Sequence, residues 1–239
     1  MNAALERAGV SVIVPVYRQV AALPELIRRT RAALGPALLE ILLVDDSPGL
    51  AELQAFAGEA RIVELAERAG QSAAIVAGLR EARGAQLAVL DADLQDPPEA
   101  LPALLAALRD ADLAFGTRRQ GLGSRAFKAV LRALFPSLPA GAGLFFAASA
   151  RAREELLQRA AGSGYLLAAL GSLGLRTAAV PVVRAPRAAP SGYAGLRRPL
   201  HGARMLASAL RIRAFGPQAG PGRARVARVY QDASATPPR

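Results

Sequence analysis

The sequence predicts an α/β protein built on a mostly parallel sheet that is sandwiched by helices. Short apolar runs alternate along the chain with stretches of helical periodicity, which is the pattern of successive β-α-β units. The apolar runs are continuous rather than alternating in polarity, as expected when both faces of a sheet are buried. Acidic side chains directly follow two of these runs, at strand ends where open α/β sheets bind ligands.

The predicted elements follow one another with short connections. The runs of Val, Ile, Leu and Ala that predict strands are residues 11–16, 40–44, 61–65, 86–90, 113–116, 143–148 and 177–183. The periodic stretches that predict helices are residues 23–34, 50–58, 71–83, 98–109, 125–135, 151–161 and 196–213. From residue 217 onward Pro, Gly, Arg and Ser dominate and the periodicity ends. We therefore predict one domain over 1–195, a helix over 196–216 and a disordered basic tail over 217–239.

Composition excludes several classes of protein. No segment reaches the roughly 20 uninterrupted apolar residues that cross a membrane, although the chain is 52% hydrophobic. Glu6 and Arg7 interrupt the N-terminus, which lacks the pattern of a signal peptide. The absence of cysteine excludes disulfides and thiolate chemistry. A cytoplasmic protein is the expectation.

The chain is strongly basic, with a formal net charge of +11 and Lys128 as its only lysine. A GC-rich genome that favours Arg and Ala codons is the plain explanation. Attraction to phosphates or to an anionic membrane surface is the functional one. Nucleic acid is disfavoured as a partner, because only 5% of the residues are aromatic and none is tryptophan.

The strongest candidate site follows the fourth predicted strand. Asp91 and Asp93 are spaced i, i+2 and share one face where the strand ends, and Gln95 continues the spacing. Carboxylate and amide oxygens suit a divalent cation that carries substrate phosphates. Asp96 has a different expected role, because Asp96-Pro97 with Glu99 three residues on is the pattern of a helix N-cap with a capping box.

Other strand ends carry further candidates, each with an alternative interpretation. Asp45 and Asp46 follow the second predicted strand at the same edge of the sheet, or simply build the turn before the next helix. Tyr17 follows Pro15 at the end of the first strand, where it either stacks on a flat group or covers the sheet edge. Arg118 ends another strand, where it either binds a phosphate or is solvated.

Two predicted helices place basic residues where anions could bind. Arg68 shortly precedes Gln71 and Ser72, and this helix start is either an anion site or an ordinary capped start with small residues. The final helix has arginines and His201 on one face and Leu and Ala on another. That pattern suits a helix on an anionic membrane surface and equally a helix packed on the core. His201 belongs to the polar face and is not expected to act as a catalytic base.

Together these motifs resemble those of the family 2 glycosyltransferases, and most of all the branch of dolichyl- and undecaprenyl-phosphate sugar synthases. The matching segments are Val14-Pro15-Val16-Tyr17, Val44-Asp45-Asp46, Gly70-Gln71-Ser72-Ala73-Ala74, Asp91-Ala92-Asp93-Leu94-Gln95-Asp96-Pro97-Pro98-Glu99 and Gly116-Thr117-Arg118. The resemblance implies a GT-A fold, in which the sheet has a Rossmann-like nucleotide-binding half. It also implies a metal-dependent, inverting transferase that uses a UDP- or GDP-sugar.

The resemblance, together with the anion site at the helix start, implies a set of site residues. The residues expected to bind the nucleotide-sugar are Pro15, Tyr17, Asp45, Asp46, Gln71, Ser72 and Asp91. The expected ligands of Mg²⁺ or Mn²⁺ are Asp91, Asp93 and Gln95. The expected catalytic residues are Asp91, Asp93 and Arg118.

The chain departs from the branch mainly on the acceptor side. Family members follow Pro-Val-Tyr with Asn-Glu, where this chain has Arg18-Gln19. A segment like Asp-Ala-Gly-Asp-Phe-Arg is replaced by Gly-Ala-Gly-Leu-Phe-Phe at 141–146, which removes both acids and the arginine. Ser191-Gly192-Tyr193 lacks the lysine of the expected Ser-Lys-Tyr. The transmembrane helices that often follow are not found in this sequence.

These losses affect phosphate and hydroxyl acceptors differently. A hydroxyl acceptor needs a general base, whose removal commonly costs about 10²–10⁴ in rate, whereas a polyprenyl phosphate is already an anion. We therefore expect sugar transfer to a lipid phosphate, in the cytoplasm and peripheral to the inner face of the membrane or bound to a membrane-protein partner. The alternative is a catalytically impaired homologue that binds a nucleotide or a partner. Convergence of Arg125, Lys128 or Arg132 on the cleft would favour the enzyme.

Overall fold

The computed structural model describes residues 9–118, 122–162, 164–185, 197–219 and 224–231. Within these ranges the chain forms one eight-stranded sheet with helices on both faces. The strands are β1 (Val10–Val16), β2 (Leu38–Asp45), β3 (Arg61–Leu65), β4 (Gln86–Val89), β5 (Leu113–Thr117), β6 (Phe146–Ala148), β7 (Thr177–Pro181) and β8 (Val226–Tyr230). The α-helices are α1 (Leu23–Leu34), α2 (Gln71–Glu81), α3 (Leu101–Ala107), α4 (Leu122–Leu134), α5 (Ala150–Arg159), α6 (Leu166–Ser172) and α7 (Arg197–Phe215). Short 3₁₀ helices are Gly35–Ala37, Ala51–Phe56 and Pro98–Ala100.

The sheet is mixed but mostly parallel, which confirms the predicted fold class. The strand order is β7-β5-β6-β4-β1-β2-β3-β8. β6 runs antiparallel to β4 and β5, and β8 runs antiparallel to β3. The other neighbouring strands are parallel. β1 therefore lies inside the parallel region, and each of its residues is buried.

Alternate residues of β1 face two separate hydrophobic cores. Ile13 belongs to a core that also contains residues of α2, α5 and α6. Val12 and Val14 belong to a second core with residues of α1 and α3. Both faces of the strand must therefore be apolar, which explains the continuous apolar runs of the sequence.

A glycine allows α2 to pack unusually close to the sheet. A Cβ atom at Gly78 would lie 2.5 Å from Cγ2 of Ile13 and 2.9 Å from Cγ2 of Val44. Only a residue without a side chain fits at this distance. The close approach holds the N-terminus of α2, which begins at Gln71, beside the ends of the strands.

Six strands end at one edge of the sheet, and this carboxyl edge is where the site residues lie. β1 to β5 and β7 run in the same direction, so their C-terminal ends meet there. β6 runs the opposite way and begins there, which brings the preceding loop at 141–145 to the same edge. Open α/β sheets bind their ligands at such an edge.

Several predicted elements differ in type or length from those observed. The predicted helix 50–58 is a short 3₁₀ helix, and the predicted helix 98–109 begins with a 3₁₀ turn before α3. The predicted strand 143–148 is reduced to β6. α6 was not predicted, because six of its seven residues are buried and it has no polar face to reveal a helical period.

The predicted disorder of 217–239 is wrong for residues 226–230, which form β8 at the edge of the sheet. β8 pairs with β3, and Val229 lies opposite Val63. Val226 and Val229 are 36% and 41% exposed, so the strand buries too little apolar surface to show a pattern in the sequence. Residues 220–223 and 232–239 lie outside the described residues.

The predicted final helix is observed as α7, and it has two apolar surfaces. Ala209 and Ile212 are buried against the core, where α7 packs on α4 and α6. Leu210 is 49% exposed and Phe215 is 85% exposed on its other side. Core packing therefore leaves part of its apolar surface uncovered. Within the described ranges, no helix combines the length and the apolar character that a membrane span requires.

Candidate active site

Two aspartates and a strained turn form an acidic loop (residues 91–96) directly after β4. Leu94, within this loop, has a φ of 56°, in the left-handed region that leucine rarely adopts. The carboxylate of Asp93 accepts a hydrogen bond from the backbone N–H of Gln95 at 3.1 Å. Strained backbone of this kind is often retained at functional sites. The turn holds Asp91 and Asp93 at the carboxyl edge.

Arg184, which follows β7, closes one side of the acidic loop. Its guanidinium donates to both carboxylate oxygens of Asp96 in a bidentate pair. It also donates to Oε1 of Gln95 at 3.2 Å and to Oδ2 of Asp91 at 3.3 Å. The backbone N–H of Ala185 donates to the carbonyl oxygen of Gln95 at 2.9 Å. The segment after β7 is thereby fastened to the acidic loop.

The predicted N-cap role of Asp96 is wrong. Asp96 is 2% exposed and its carboxylate binds Arg184, while the 3₁₀ helix that follows begins without a side-chain cap. Glu99, the expected capping-box partner, forms an ion pair with Arg29 at 2.6 Å instead. The carboxylate of an aspartate can serve either role, and the sequence does not show a partner 88 residues away.

Asp91 lies where the charges of the site are most concentrated. Its Oδ1 accepts a hydrogen bond from Nε2 of Gln71 at 2.6 Å. Burial, followed by the carboxylates of Asp96 and Asp93, raises the pKa of Asp91 to about 6, although Arg184 acts in the opposite direction. Neighbouring positive charge therefore does not fully balance the negative charge of the ionised Asp91, and an additional cation would stabilise it.

The acidic loop fits a divalent metal that is shared with a substrate. Asp91 and Asp93 offer carboxylate oxygens and Gln95 an amide oxygen, which are ligands that Mg²⁺ and Mn²⁺ accept. Among the residues that the structure describes, no group of three or more acidic or histidine side chains forms a complete metal site. The remaining ligands would come from substrate phosphates and water, as is usual for Mg²⁺ in nucleotide sites.

Asp46 positions the loop that leads into α2. It is 4% exposed, and its Oδ1 accepts hydrogen bonds from the backbone N–H groups of Ala69 at 2.6 Å and Gly70 at 3.0 Å. Its Oδ2 also lies 3.0 Å from the nitrogen of Gly70. Asp46 therefore holds Arg68 and Gln71 at the carboxyl edge rather than presenting a free carboxylate there.

Asp45 ends β2, and few hydrogen bonds offset the cost of burying its charge. It is 3% exposed, and its Oδ1 accepts a hydrogen bond from the N–H of Ser47 at 2.7 Å. Burial raises the pKa of Asp45 to about 6, although the N–H groups of Ser47 and Leu50 oppose the shift. A buried carboxylate of this kind favours a hydrogen-bond donor from a ligand.

Asp45→Asn is expected to stabilise the protein at neutral pH. Because folding raises the pKa of Asp45 above its ordinary value of 3.8, the stability of the wild type relative to the variant falls as the pH rises towards 6. Above that pH the variant should be more stable by about 1–3 kcal/mol, since one pKa unit corresponds to about 1.4 kcal/mol. Urea unfolding in mildly acidic and in neutral buffer measures the difference, and a more stable wild type in neutral buffer would contradict it.

Tyr17 lies beside two guanidinium groups at the end of β1. The guanidinium carbon of Arg68 is 4.3 Å from the centroid of its ring, and that of Arg18 is 5.3 Å away. Arg18 has a φ of 55°, and its N–H donates to the hydroxyl of Ser47 at 3.0 Å. Two guanidinium groups thus lie close to the ring of Tyr17, and the departure at Arg18-Gln19 supplies one of them.

Two further residues that were predicted to bind the nucleotide-sugar make contacts within the protein. Pro15 is buried within β1, opposite Val44 of β2. The hydroxyl of Ser72 accepts a hydrogen bond from the N–H of Leu166 at 3.3 Å, at the start of α6. Both residues lie near the carboxyl edge, but the contacts observed for them are with other residues of the protein.

Arg118 and Lys128 add positive charge beside the acidic loop. Arg118 follows β5, and burial and then Arg184 lower the pKa of its guanidinium. Lys128 on α4 donates to the carbonyl oxygen of Ala142. Burial, followed by Arg118 and Arg184, lowers the pKa of the Lys128 ammonium to about 8. Acidic and basic side chains thus lie near enough at the carboxyl edge to act on one another electrostatically, and the space beside them is the candidate cleft.

Arg184 is the site residue that the sequence did not predict. It is one of 30 lysines and arginines, and its position shortly after a strand was the one signal that could have identified it. Of the cations named as candidates for the cleft, Lys128 reaches it, whereas Arg132 is exposed. The side chain of Arg125 and the segment Ser191-Gly192-Tyr193 lie outside the described residues.

A match to a family model shows which family the chain belongs to. Residues 11–157 match the family described as glycosyl transferase family 2. The chain belongs to family 2 of the glycosyltransferases. The matched region includes all but the first residue of β1, the strands β2 to β6 and the whole acidic loop, so the predicted family is confirmed.

Curated relatives of this glycosyltransferase carry undecaprenyl phosphate in their name. It is 44% identical over 129 residues to the undecaprenyl-phosphate 4-deoxy-4-formamido-L-arabinose transferase of Salmonella paratyphi A, covering 50% of this chain and 39% of the relative. It is 49% identical over 106 residues to the transferase of the same name from Pseudomonas aeruginosa, covering 40% of this chain and 31% of the relative. The match therefore spans well under half of the length of these relatives.

Solved structures confirm the GT-A fold of this glycosyltransferase over most of its length. A glucosyl-3-phosphoglycerate synthase from Mycobacterium tuberculosis, in complex with Mn²⁺, UDP and glucosyl-3-phosphoglycerate, has a TM-score of 0.68 at 25% identity and covers 90% of this chain and 85% of that one. The same enzyme with Mg²⁺ and UDP has a TM-score of 0.66 at 26% identity and covers 91% of this chain and 84% of that one. These neighbours bind a divalent metal together with UDP.

Proposed function

We propose that this glycosyltransferase transfers a sugar from a UDP- or GDP-sugar to the phosphate of a polyprenyl-phosphate-type lipid, with Mg²⁺ or Mn²⁺ as cofactor. The proposal rests on two features that occur together at one edge of the sheet. Asp91 and Asp93 form a carboxylate pair suited to a metal diphosphate, while the neighbouring loop at 141–146 contains no group that could act as a base. The name of the curated relatives supports the lipid acceptor.

The donor half of the site is assigned to the ends of β1, β2 and β4. Asp45 and Tyr17 would contact the base and ribose, next to Pro15. Gln71 would face the diphosphate, because its side chain already reaches Asp91 at 2.6 Å. Asp46 and Ser72 would not contact the donor. They would act indirectly, because Asp46 holds the start of α2 and Ser72 the start of α6.

Asp91, Asp93 and Gln95 would hold the metal. When bound, it would neutralise charge on the departing nucleoside diphosphate and orient it. Binding requires Arg184 to yield its contacts with Asp91 and Gln95, which are longer than its contacts with Asp96. Arg118 would then face the phosphates of the donor or of the acceptor.

The transfer step needs positioning more than proton transfer. A non-bridging oxygen of the acceptor phosphate forms a bond to the anomeric carbon as the bond from that carbon to the β-phosphate oxygen breaks. The bonding electron pair leaves with the nucleoside diphosphate, and attack from the opposite side inverts the anomeric centre. No proton has to move, because the acceptor oxygen is already anionic.

Peripheral binding to the membrane is assigned to α7. Leu210 and Phe215 are exposed on this helix, and the exposed arginines Arg204, Arg211 and Arg213 lie among them. Apolar side chains flanked by arginines suit the headgroup region of an anionic bilayer. Binding through this helix would bring the protein to the bilayer in which the chain of the acceptor lies.

Two other functions have some support. A catalytically impaired homologue that binds a nucleotide or partner is consistent with the missing acids at 141–146. A soluble phosphorylated acceptor is consistent with the fold match to an enzyme crystallised with glucosyl-3-phosphoglycerate. A hydroxyl acceptor, however, would need a base that this loop does not supply.

A transfer assay separates these functions. Purified protein is incubated with Mn²⁺ or Mg²⁺, labelled UDP- and GDP-sugars and vesicles that contain undecaprenyl phosphate, and label is followed into the organic phase. The proposal predicts lipid-linked label from one donor, its loss on chelation of the metal, and protein that sediments with anionic vesicles. Absence of transfer from every donor, with nucleotide still bound in the presence of metal, would favour the impaired homologue.

A further inference from the structure

Lys128 is half-buried in the cleft and points at the loop where the family resemblance expects acids. Its ammonium donates to the carbonyl oxygen of Ala142, in the middle of the acid-free segment 141–146. It is also the single lysine of a chain whose other basic residues are all arginine. A carbonyl oxygen compensates only part of the cost of burying an ammonium group.

The ammonium of Lys128 has unused donor capacity. An ammonium carries three N–H donors, and the observed hydrogen bond uses one of them. Within the described part of the chain, Lys128 forms no ion pair with a carboxylate. The carboxylate of Asp96 acts on it electrostatically, but both oxygens of Asp96 accept hydrogen bonds from Arg184.

Arg118 lies against the same loop. A Cβ atom at Gly141 would lie 2.7 Å from the carbonyl oxygen of Arg118, so the loop backbone packs directly on this residue. Gly116 also donates its N–H to the carbonyl oxygen of Phe145 at 2.9 Å. Arg118 and Lys128 therefore both contact one short loop, and the positive charge of Arg118 acts on the ammonium of Lys128.

We propose that Lys128 and Arg118 form a subsite for the phosphate monoester of the acceptor, and that Lys128 determines the preference for a phosphate over a hydroxyl acceptor. This inference rests on the proposed function. A compact ammonium with free donors beside a guanidinium suits a dianion that carries several acceptor oxygens. The loop at 141–146 has no carboxylate that would compete with the phosphate for these two cations. The carboxylate of Asp96 does not compete either, because it is bound to Arg184.

The test uses Lys128→Gln and Lys128→Arg in the full chain, with Arg132→Gln as the matched control. Arg132 is exposed on the same helix, so its replacement removes one charge without reaching the cleft. Loss of a charge-assisted hydrogen bond should raise the KM for undecaprenyl phosphate roughly 10- to 100-fold in Lys128→Gln. The Kd for UDP with Mn²⁺ should not change, and Lys128→Arg should recover part of the loss.

A binding experiment tests the phosphate subsite separately from the proposed function, and it compares a free phosphate with a phosphorylated small molecule. Binding of inorganic phosphate and of 3-phosphoglycerate to the UDP- and Mn²⁺-loaded protein is followed by ³¹P line broadening in each variant. Phosphate binding that is lost in Lys128→Gln but not in Arg132→Gln supports the subsite even if no lipid is glycosylated. A lipid acceptor KM that is unchanged in a folded Lys128→Gln protein overturns the subsite while the proposed function stands.

Discussion

Asp93→Ala is expected to abolish metal-dependent sugar transfer while the protein remains folded. Asp93 is a partly exposed residue of the acidic loop, and its side chain is not part of either hydrophobic core. A metal at a reacting phosphate contributes several kcal/mol to stabilisation of the transition state, which corresponds to roughly 10²–10⁴ in rate. Turnover with saturating donor, and UDP affinity with and without Mn²⁺, measure the loss.

The matched control for this variant is Asp110→Ala, which removes an exposed aspartate just before β5, at the edge of the sheet opposite the acidic loop. It should retain wild-type turnover and wild-type dependence on Mn²⁺. Asp91→Ala should behave like Asp93→Ala. Mn²⁺-dependent turnover at the wild-type rate in Asp93→Ala would exclude this residue as a ligand.

Asp96→Asn is expected to destabilise the protein by about 3 kcal/mol, because it leaves a largely buried arginine without its carboxylate. The side chains of Asp96 and Arg184 are 2% and 19% exposed, and their pair fastens the segment after β7 to the acidic loop. Arg184→Met should cost a similar amount. Urea unfolding of both single variants and of the double variant gives the coupling energy of the pair.

The exposed ion pair of Arg29 and Glu99 is the matched control for this experiment. Its side chains are 27% and 57% exposed, so Glu99→Gln should change the free energy of unfolding by no more than about 0.5 kcal/mol. A loss of only about 1 kcal/mol in Asp96→Asn would be the size expected of a helix cap and would contradict the ion-pair role.

The sheet and the carboxyl edge could be predicted because their signals are local. β1 to β5 are apolar runs buried on both faces, and the acidic loop follows one of them directly. In a parallel sheet the ends of separate strands meet at one edge, so residues distant in sequence, such as Asp45 and Asp91, could be assigned to one site. The same reasoning placed Arg118 there.

What could not be predicted depends on partners distant in sequence. Asp96 resembles a helix cap in its immediate context, and only the tertiary structure brings Arg184 to it across 88 residues. β8 has exposed valines and depends on backbone pairing with β3 at the sheet edge. Lys128 was a candidate by charge alone, and its contact with Ala142 required the loop after α4 to fold back onto Arg118.

The proposed function depends on a divalent metal that the acidic loop holds on the diphosphate of a nucleotide-sugar. The most direct test of this metal site is an anomalous difference map at the manganese edge, from crystals grown with UDP and Mn²⁺. The structure predicts one strong peak within coordination distance of Asp91 and Asp93, with Arg184 released from Asp91 and still bound to Asp96. UDP bound with the metal elsewhere, and with the contact between Arg184 and Asp91 intact, would contradict the claim.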